Sequence, residues 1–127
     1  MLGGAGNDSL SLGAGADSVD AGDGDDTVDL AFNDRNGHNA ADNVTLGAGS
    51  DTIEPSLRWL QRGNTVTVVS DFATGAGGDK VDLTSVLGRL ADLGFDYRNP
   101  FTTGYLRLVA SGTSTLLQVD TDSAGPN

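Results

Sequence analysis

GGAGNDSLSLGAGADSVDAGDGDDTVD, residues 3–29, restates itself every nine positions. Cut at that period it gives GGAGNDSLS (3–11), LGAGADSVD (12–20) and AGDGDDTVD (21–29), and two further units follow, GHNAADNVT (37–45) and LGAGSDTIE (46–54). A seven-residue insertion, LAFNDRN (30–36), separates the third unit from the fourth. The sixth position is always aspartate: Asp8, Asp17, Asp26, Asp42 and Asp51. The eighth is always a medium aliphatic: Leu10, Val19, Val28, Val44 and Ile53. Four of the five units carry glycine at the second and fourth positions, as Gly4 and Gly6, Gly13 and Gly15, Gly22 and Gly24, and Gly47 and Gly49. A glycine–aspartate linker has the composition of this segment but not its register. An acid and an aliphatic held at fixed offsets through five units mark a repeat architecture.

The unit resembles the nonapeptide G-G-x-G-x-D-x-U-x of the repeats-in-toxin (RTX), hemolysin-type proteins, whose repeats bind calcium. That resemblance implies an all-β fold, a parallel β-roll in which two nonapeptides make one coil and successive coils stack. The residue chemistry agrees. Glycines at alternate positions let the backbone enter φ > 0 and turn its carbonyls inward. A triplet such as Thr27-Val28-Asp29 is a short strand whose middle side chain faces away from its neighbours. The eighth-position aliphatics then form two interior columns, Leu10, Val28 and Ile53 on one side, Val19 and Val44 on the other. Loops of alternate units face each other across a space lined by backbone carbonyls and one aspartate from each. Such a lining suits Ca2+, a hard cation taking six to eight oxygens. Counting alternate units gives three candidate sites, Asp8 with Asp26, Asp26 with Asp51, and Asp17 with Asp42. In the fourth unit His38 and Ala40 replace the expected glycines.

Charge separates this segment from the rest. Residues 1–54 carry eleven acids against Arg35 alone, whereas residues 55–127 carry seven acids and six bases. The change near Pro55 divides the chain into a calcium-binding roll, 1–54, and a β-rich C-terminal capping region, 55–127. With a net charge of −11 the chain is an unsuitable partner for nucleic acid or an anionic membrane. No run is long and apolar enough for membrane insertion. The absence of cysteine removes disulfides, thiol nucleophiles and thiolate metal sites. The opening Met1-Leu2-Gly3-Gly4 has none of the features of a signal peptide, so export would depend on a signal elsewhere.

In the second half, NTVTVVSDF (64–72) reads as a strand and GAGGDKVDL (75–83) as a glycine turn into another. Val86, Leu87, Leu90 and Leu93 fall at helical spacing between Ser85 and a stop at Gly94. Tyr105–Ala110 and Thr115–Asp120 read as a hairpin. Trp59, Phe72, Phe95, Phe101 and Tyr105 supply the bulk of a small cap over the open end of the coil. The runs VVSDFATGAGGDKVDLTSVL and NPFTTGYLRLVASGTSTLLQVDTD resemble the C-terminal target region of large type I-secreted RTX adhesins, over roughly residues 64–122. That resemblance implies a piece of a larger protein exported by type I secretion machinery from a Gram-negative bacterium. It also implies a secreted, extracellular or cell-surface location; the alternatives are a module that binds a surface glycan or other cell-surface partner, and the non-catalytic C-terminal module of a secreted enzyme such as a protease, lipase or alginate epimerase. A secretion signal beyond this region is expected, and a chain ending Ser-Ala-Gly-Pro-Asn lacks some or all of it.

Asp71, Asp79 and Asp82 bracket the second glycine turn and are candidates to converge on one more calcium; turn capping by Asp71 and Asp82 is the alternative. Asp120-Thr121-Asp122 followed by Gly125 has the opening spacing of an EF-hand loop but lacks its third acid and distal glutamate. Nothing points to catalysis. The one histidine, His38, has no nucleophile to serve, no phosphate-binding glycine loop or G-x-S-x-G is present, and a glycosidase acid pair occurs once rather than periodically. Arg58, Arg62, Arg89, Arg98 and Arg107 are expected to balance the cap's own acids, and the insertion with Phe32 to be a decorated loop.

Overall fold

A three-residue strand with an aliphatic at its centre buries one side chain and shows its two neighbours to the outside. The repeat units fold on this rule. The computed structural model describes residues 1–13, 15–30, 41–55 and 67–119. In it β2 (Ser9–Ser11), β4 (Thr27–Asp29) and β6 (Thr52–Glu54) bury Leu10, Val28 and Ile53 respectively. The alternate strands β1 (Leu2–Ala5), β3 (Ser18–Asp23) and β5 (Asn43–Ala48) run on into the following glycine loop; β3 buries Val19 and Ala21, and β5 buries Val44 and Leu46.

The odd strands make one sheet, β1-β3-β5-β7, and the even strands another, β2-β4-β6-β8, where β7 is Val68–Val69 and β8 is Lys80–Val81. Every pairing in both sheets is parallel. Strands that alternate between two parallel sheets trace a coil, so this is the parallel β-roll expected from the repeat. Register places Leu10 beside Val28, Val28 beside Ile53 and Ile53 beside Val81; in the facing sheet Val19 lies beside Val44 and Val44 beside Val69. A second inward set comes from the residue that opens a unit or follows one: Leu12, Ala21, Leu30 and Leu46 are buried in the same cluster, with Val69 and Phe72 packed against it.

The chain divides into two compact units, Met1–Ser85 and Val86–Asn127. This division lies well beyond the change of charge at Pro55, because β7 and β8 pair in register with β5 and β6 and belong to the roll's sheets. The strand expected over 64–72 is short. Only Val68 and Val69 pair with β5, and the last backbone bond of the ladder is from Ser70 N–H to the Val44 carbonyl; residues 64–66 lie outside the described residues.

Helix α1 (Thr84–Asp92) falls within one residue of its expected span and ends at Gly94, whose φ is 104°. In the second unit β9 (Leu106–Ser111) and β10 (Ser114–Val119) form the expected antiparallel hairpin, turning through Gly112 and Thr113. Val86, Leu90, Phe95 and Leu106 are buried there, and the Phe95 and Tyr105 rings meet edge to face with centroids 5.2 Å apart. No described helix is long and apolar enough to cross a membrane. Trp59, Phe32 and nearly all of the 30–36 insertion lie outside the described residues.

Candidate metal centre

The glycine loops stack backbone on backbone. A Cβ on Gly22 would collide with the Gly4 carbonyl oxygen, and one on Gly47 with the Gly22 carbonyl oxygen. Of the eight glycines at second and fourth positions, all but Gly13 have left-handed φ. This tight stacking brings the sixth-position aspartates of alternate units together. The backbone N–H of Asp8 donates to Asp26 Oδ1 at 2.8 Å, that of Asp26 to Asp51 Oδ1 at 2.8 Å, and that of Asp17 to Asp42 Oδ1 at 3.0 Å. These are the three pairs counted from the sequence.

Each of these hydrogen bonds uses one carboxylate oxygen. The Oδ2 oxygens of Asp8, Asp17, Asp26 and Asp51 are buried and have no hydrogen-bond partner. Asp26, Asp42 and Asp51 are at most 1% exposed, so water does not cover them. An unsatisfied buried acceptor costs about 1–3 kcal/mol, and more when it is charged. Burial pushes the Asp51 carboxyl above the ordinary carboxylate range; the charges of Asp79 and Asp26 push it further, against the stabilising N–H of Asp26. Left to itself, this column is a destabilising element. A divalent cation beside two such oxygens would remove the penalty, because two carboxylates offset its charge. Among the described residues no three acidic or imidazole side chains converge. Any cation shell among these residues would therefore need backbone oxygens as well as carboxylates. Asp42 differs from the others: its second oxygen accepts a long 3.4 Å bond from the Thr67 hydroxyl.

Asp71, Asp79 and Asp82 are not brought together. Asp71 spends its two oxygens on the N–H groups of Leu46 and Gly47, both at 2.8 Å, and so closes the open edge of β5 where β7 ends. Asp79 accepts from Asp51 N–H at 3.0 Å and from Ala73 N–H at 2.7 Å. Asp82 accepts from Thr84 N–H at the start of α1, and this bond, with that from the Thr84 hydroxyl, holds its carboxyl below the usual range. Asp82 is a helix cap.

Two features escaped the sequence reading. One is a second polar ladder at the fifth position: Asp25 N–H donates to Asn7 Oδ1, and Ser50 N–H to Asp25 Oδ1. The other is that TGAGGDKVD, residues 74–82, obeys the nonapeptide rule, with Asp79 sixth and Val81 eighth. Its glycines read as a turn in the sequence, and only a search past Pro55 that releases the strict nine-residue count finds the unit. Arg89 pairs with Asp92 at 3.1 Å and Arg98 with Asp96 at 3.0 Å, while Arg107 binds Gln118. His38, Arg58, Arg62 and the Asp120–Asp122 motif with Gly125 lie outside the described residues.

Residues 1–32 and 36–54 match the family model of the RTX calcium-binding nonapeptide repeat, in four copies. A comparison with curated proteins, and another with solved structures, gives no match.

Proposed function

We propose that this chain, whose residues 1–32 and 36–54 match RTX calcium-binding nonapeptide repeats, is a calcium-responsive folding module of a larger secreted or cell-surface protein, such as an adhesin, exported by type I secretion machinery. Such repeats bind calcium ions and occur in secreted bacterial proteins. The observation that supports the switch is the set of four buried carboxylate oxygens without a partner, on Asp8, Asp17, Asp26 and Asp51. Where calcium is scarce, as in the cytosol, these charges oppose the coil and keep the chain extended for passage through a narrow channel. Outside, calcium supplies the missing partners and the coil closes.

Asp8 with Asp26, Asp26 with Asp51, and Asp17 with Asp42 would hold the ions, and the ions supply charge neutralisation and cross-linking rather than catalysis. A filled site at a hundred times its dissociation constant contributes about 2.7 kcal/mol. Three such sites match the whole stability of a small domain, about 5–15 kcal/mol. Far-ultraviolet circular dichroism of the full chain, titrated with calcium and then with chelator, tests the reading. Strand signal that grows with calcium and is lost to chelator is expected; a fold indifferent to both refutes it. Magnesium should not substitute, because it demands a smaller octahedral shell.

A further inference from the structure

The 74–82 unit lies outside the residues matched as RTX repeats, yet it stacks in their register. Lys80 lies across from Thr52 and Val81 across from Ile53, so Asp79 follows Asp51 as Asp51 follows Asp26. By pattern alone Asp79 would be the next ligand and Asp51–Asp79 the next site. Three observations argue otherwise. First, both Asp79 oxygens are occupied by protein donors, Asp51 N–H and Ala73 N–H, whereas Asp8, Asp26 and Asp51 each keep a bare buried oxygen.

Second, Gly75 and Gly77 share the left-handed φ of the repeat glycines, at 108° and 78°. A Cβ on either would nonetheless meet nothing, while one on Gly47 or Gly49 would strike the carbonyl of the loop beneath. The close backbone stacking of Gly47 and Gly49 is therefore not repeated at Gly75 and Gly77. The reason is chain length: Asp79 comes twelve residues after Thr67, the residue in register with Asp42, where neighbouring units are nine apart. The extra residues fold back, and Ala73 reaches Asp79. Third, the seventh position, held by Ser9, Thr27 and Thr52 in the same sheet, is Lys80. Its ammonium donates to Ser50 Oγ at 2.8 Å, and that hydroxyl donates to the Gly78 carbonyl at 3.0 Å. A tethered positive charge stands at the end of the acidic column.

We infer that the calcium ladder ends in protein: Asp79 is a metal-free clamp that positions Asp51 for its ion and binds none itself. This rests on the calcium reading above and fixes where the row of ions stops. Isothermal titration of the full chain with calcium tests it, with Asp51→Asn, Asp79→Asn and Asp79→Ala beside the unaltered protein. Asp51→Asn should lose one ion, and both Asp79 variants should keep the full count. Losing a charged hydrogen bond lowers a folding constant by about tenfold, and spread over three ions this raises the calcium midpoint about twofold. Asp79→Ala should show this shift, and Asp79→Asn, which retains one acceptor oxygen for Asp51 N–H, should recover part of it. Loss of an ion in Asp79→Asn makes Asp79 a ligand and overturns the inference, as does an unmoved midpoint in Asp79→Ala. An unaltered chain that binds no calcium removes the proposed function instead, and the inference with it.

Discussion

Asp26 is the residue on which the stacked-site geometry can be broken most informatively. It is 1% exposed, accepts from Asp8 N–H on one side and donates its own N–H to Asp51 on the other, both at 2.8 Å. One of its oxygens is bare. Asp26 thus faces two gaps in the column, Asp8 faces one, and Asp8 lies at the first coil of the chain, where fraying lowers its contribution. Asp26→Ala should remove two calcium ions and Asp8→Ala one. At calcium a hundred times the dissociation constant, the linkage loss is about 5 kcal/mol for Asp26 and at most about 2.7 kcal/mol for Asp8. Asp26→Asn is the sharper variant, since it keeps size and one acceptor while deleting the charge that offsets the cation. Calorimetry supplies the stoichiometry, and denaturant unfolding at saturating calcium supplies the energies. Equal losses at Asp8 and Asp26 would refute the shared-ligand arrangement.

Other positions carry separate expectations. Leu46→Ala, at a fully buried position of β5, should cost about 2–5 kcal/mol at saturating calcium by cavity formation; a loss under 1 kcal/mol would mean the coil interior is loosely packed. Gly47→Ala and Gly75→Ala both force a side chain into left-handed φ, a strain of about 1–2 kcal/mol, but only Gly47 has a stacked carbonyl in the way. Chemical denaturation should therefore rank Gly47→Ala as clearly the more damaging, and equal costs would contradict the loop stacking. The raised Asp51 carboxyl sets two opposite pH effects. A group whose folded pKa is raised stabilises the metal-free fold at low pH, and that contribution disappears as pH climbs through the folded value. Calcium needs the ionised form, so its affinity should fall as pH drops through the same range, with protons released on binding at acid pH. Titrations in buffers of different ionisation enthalpy measure that release, and none at any pH would show Asp51 to be already ionised.

The roll was legible because its two constraints are periodic. An aliphatic at the eighth position must face inward and an aspartate at the sixth must face the loop stack, so Val28 and Asp26 declare their roles by offset alone. Leu12, Ala21, Leu30 and Leu46 are harder to place, because two of the five units open with glycine, Gly3 and Gly37, instead of an aliphatic. The 74–82 unit was obscured by its spacing: three additional residues before Asp79 break the count while leaving the pairing of Val81 with Ile53 intact. Asp71, Asp79 and Asp82 show the limit of reading acids from spacing. Carboxylates near one glycine turn look alike in sequence, and only the positions of N–H donors separate an edge cap, a clamp and a helix cap.

That separation bears on why the module would respond to calcium as a unit. The roll's interior is a thin one of valines, leucines, an alanine and an isoleucine, and each buried side chain of that size contributes about 1.5–3 kcal/mol against the entropy of ordering its strand. A larger apolar core would hold the coils together regardless of metal. Here the acidic column works against that small core: burial raises the carboxyl of Asp51, and the charges of Asp79 and Asp26 on the neighbouring coils raise it further. A coil without its ion therefore weakens the pairing of the next, and a coil with its ion presents an ordered loop for the next to stack on. The response to calcium should accordingly be steep. Its steepness should fall when the column is cut at Asp26, in the middle, more than when it is shortened at Asp8. A calcium titration with the same Hill slope in both variants would mean that the sites fill independently and that stacking does not transmit between them.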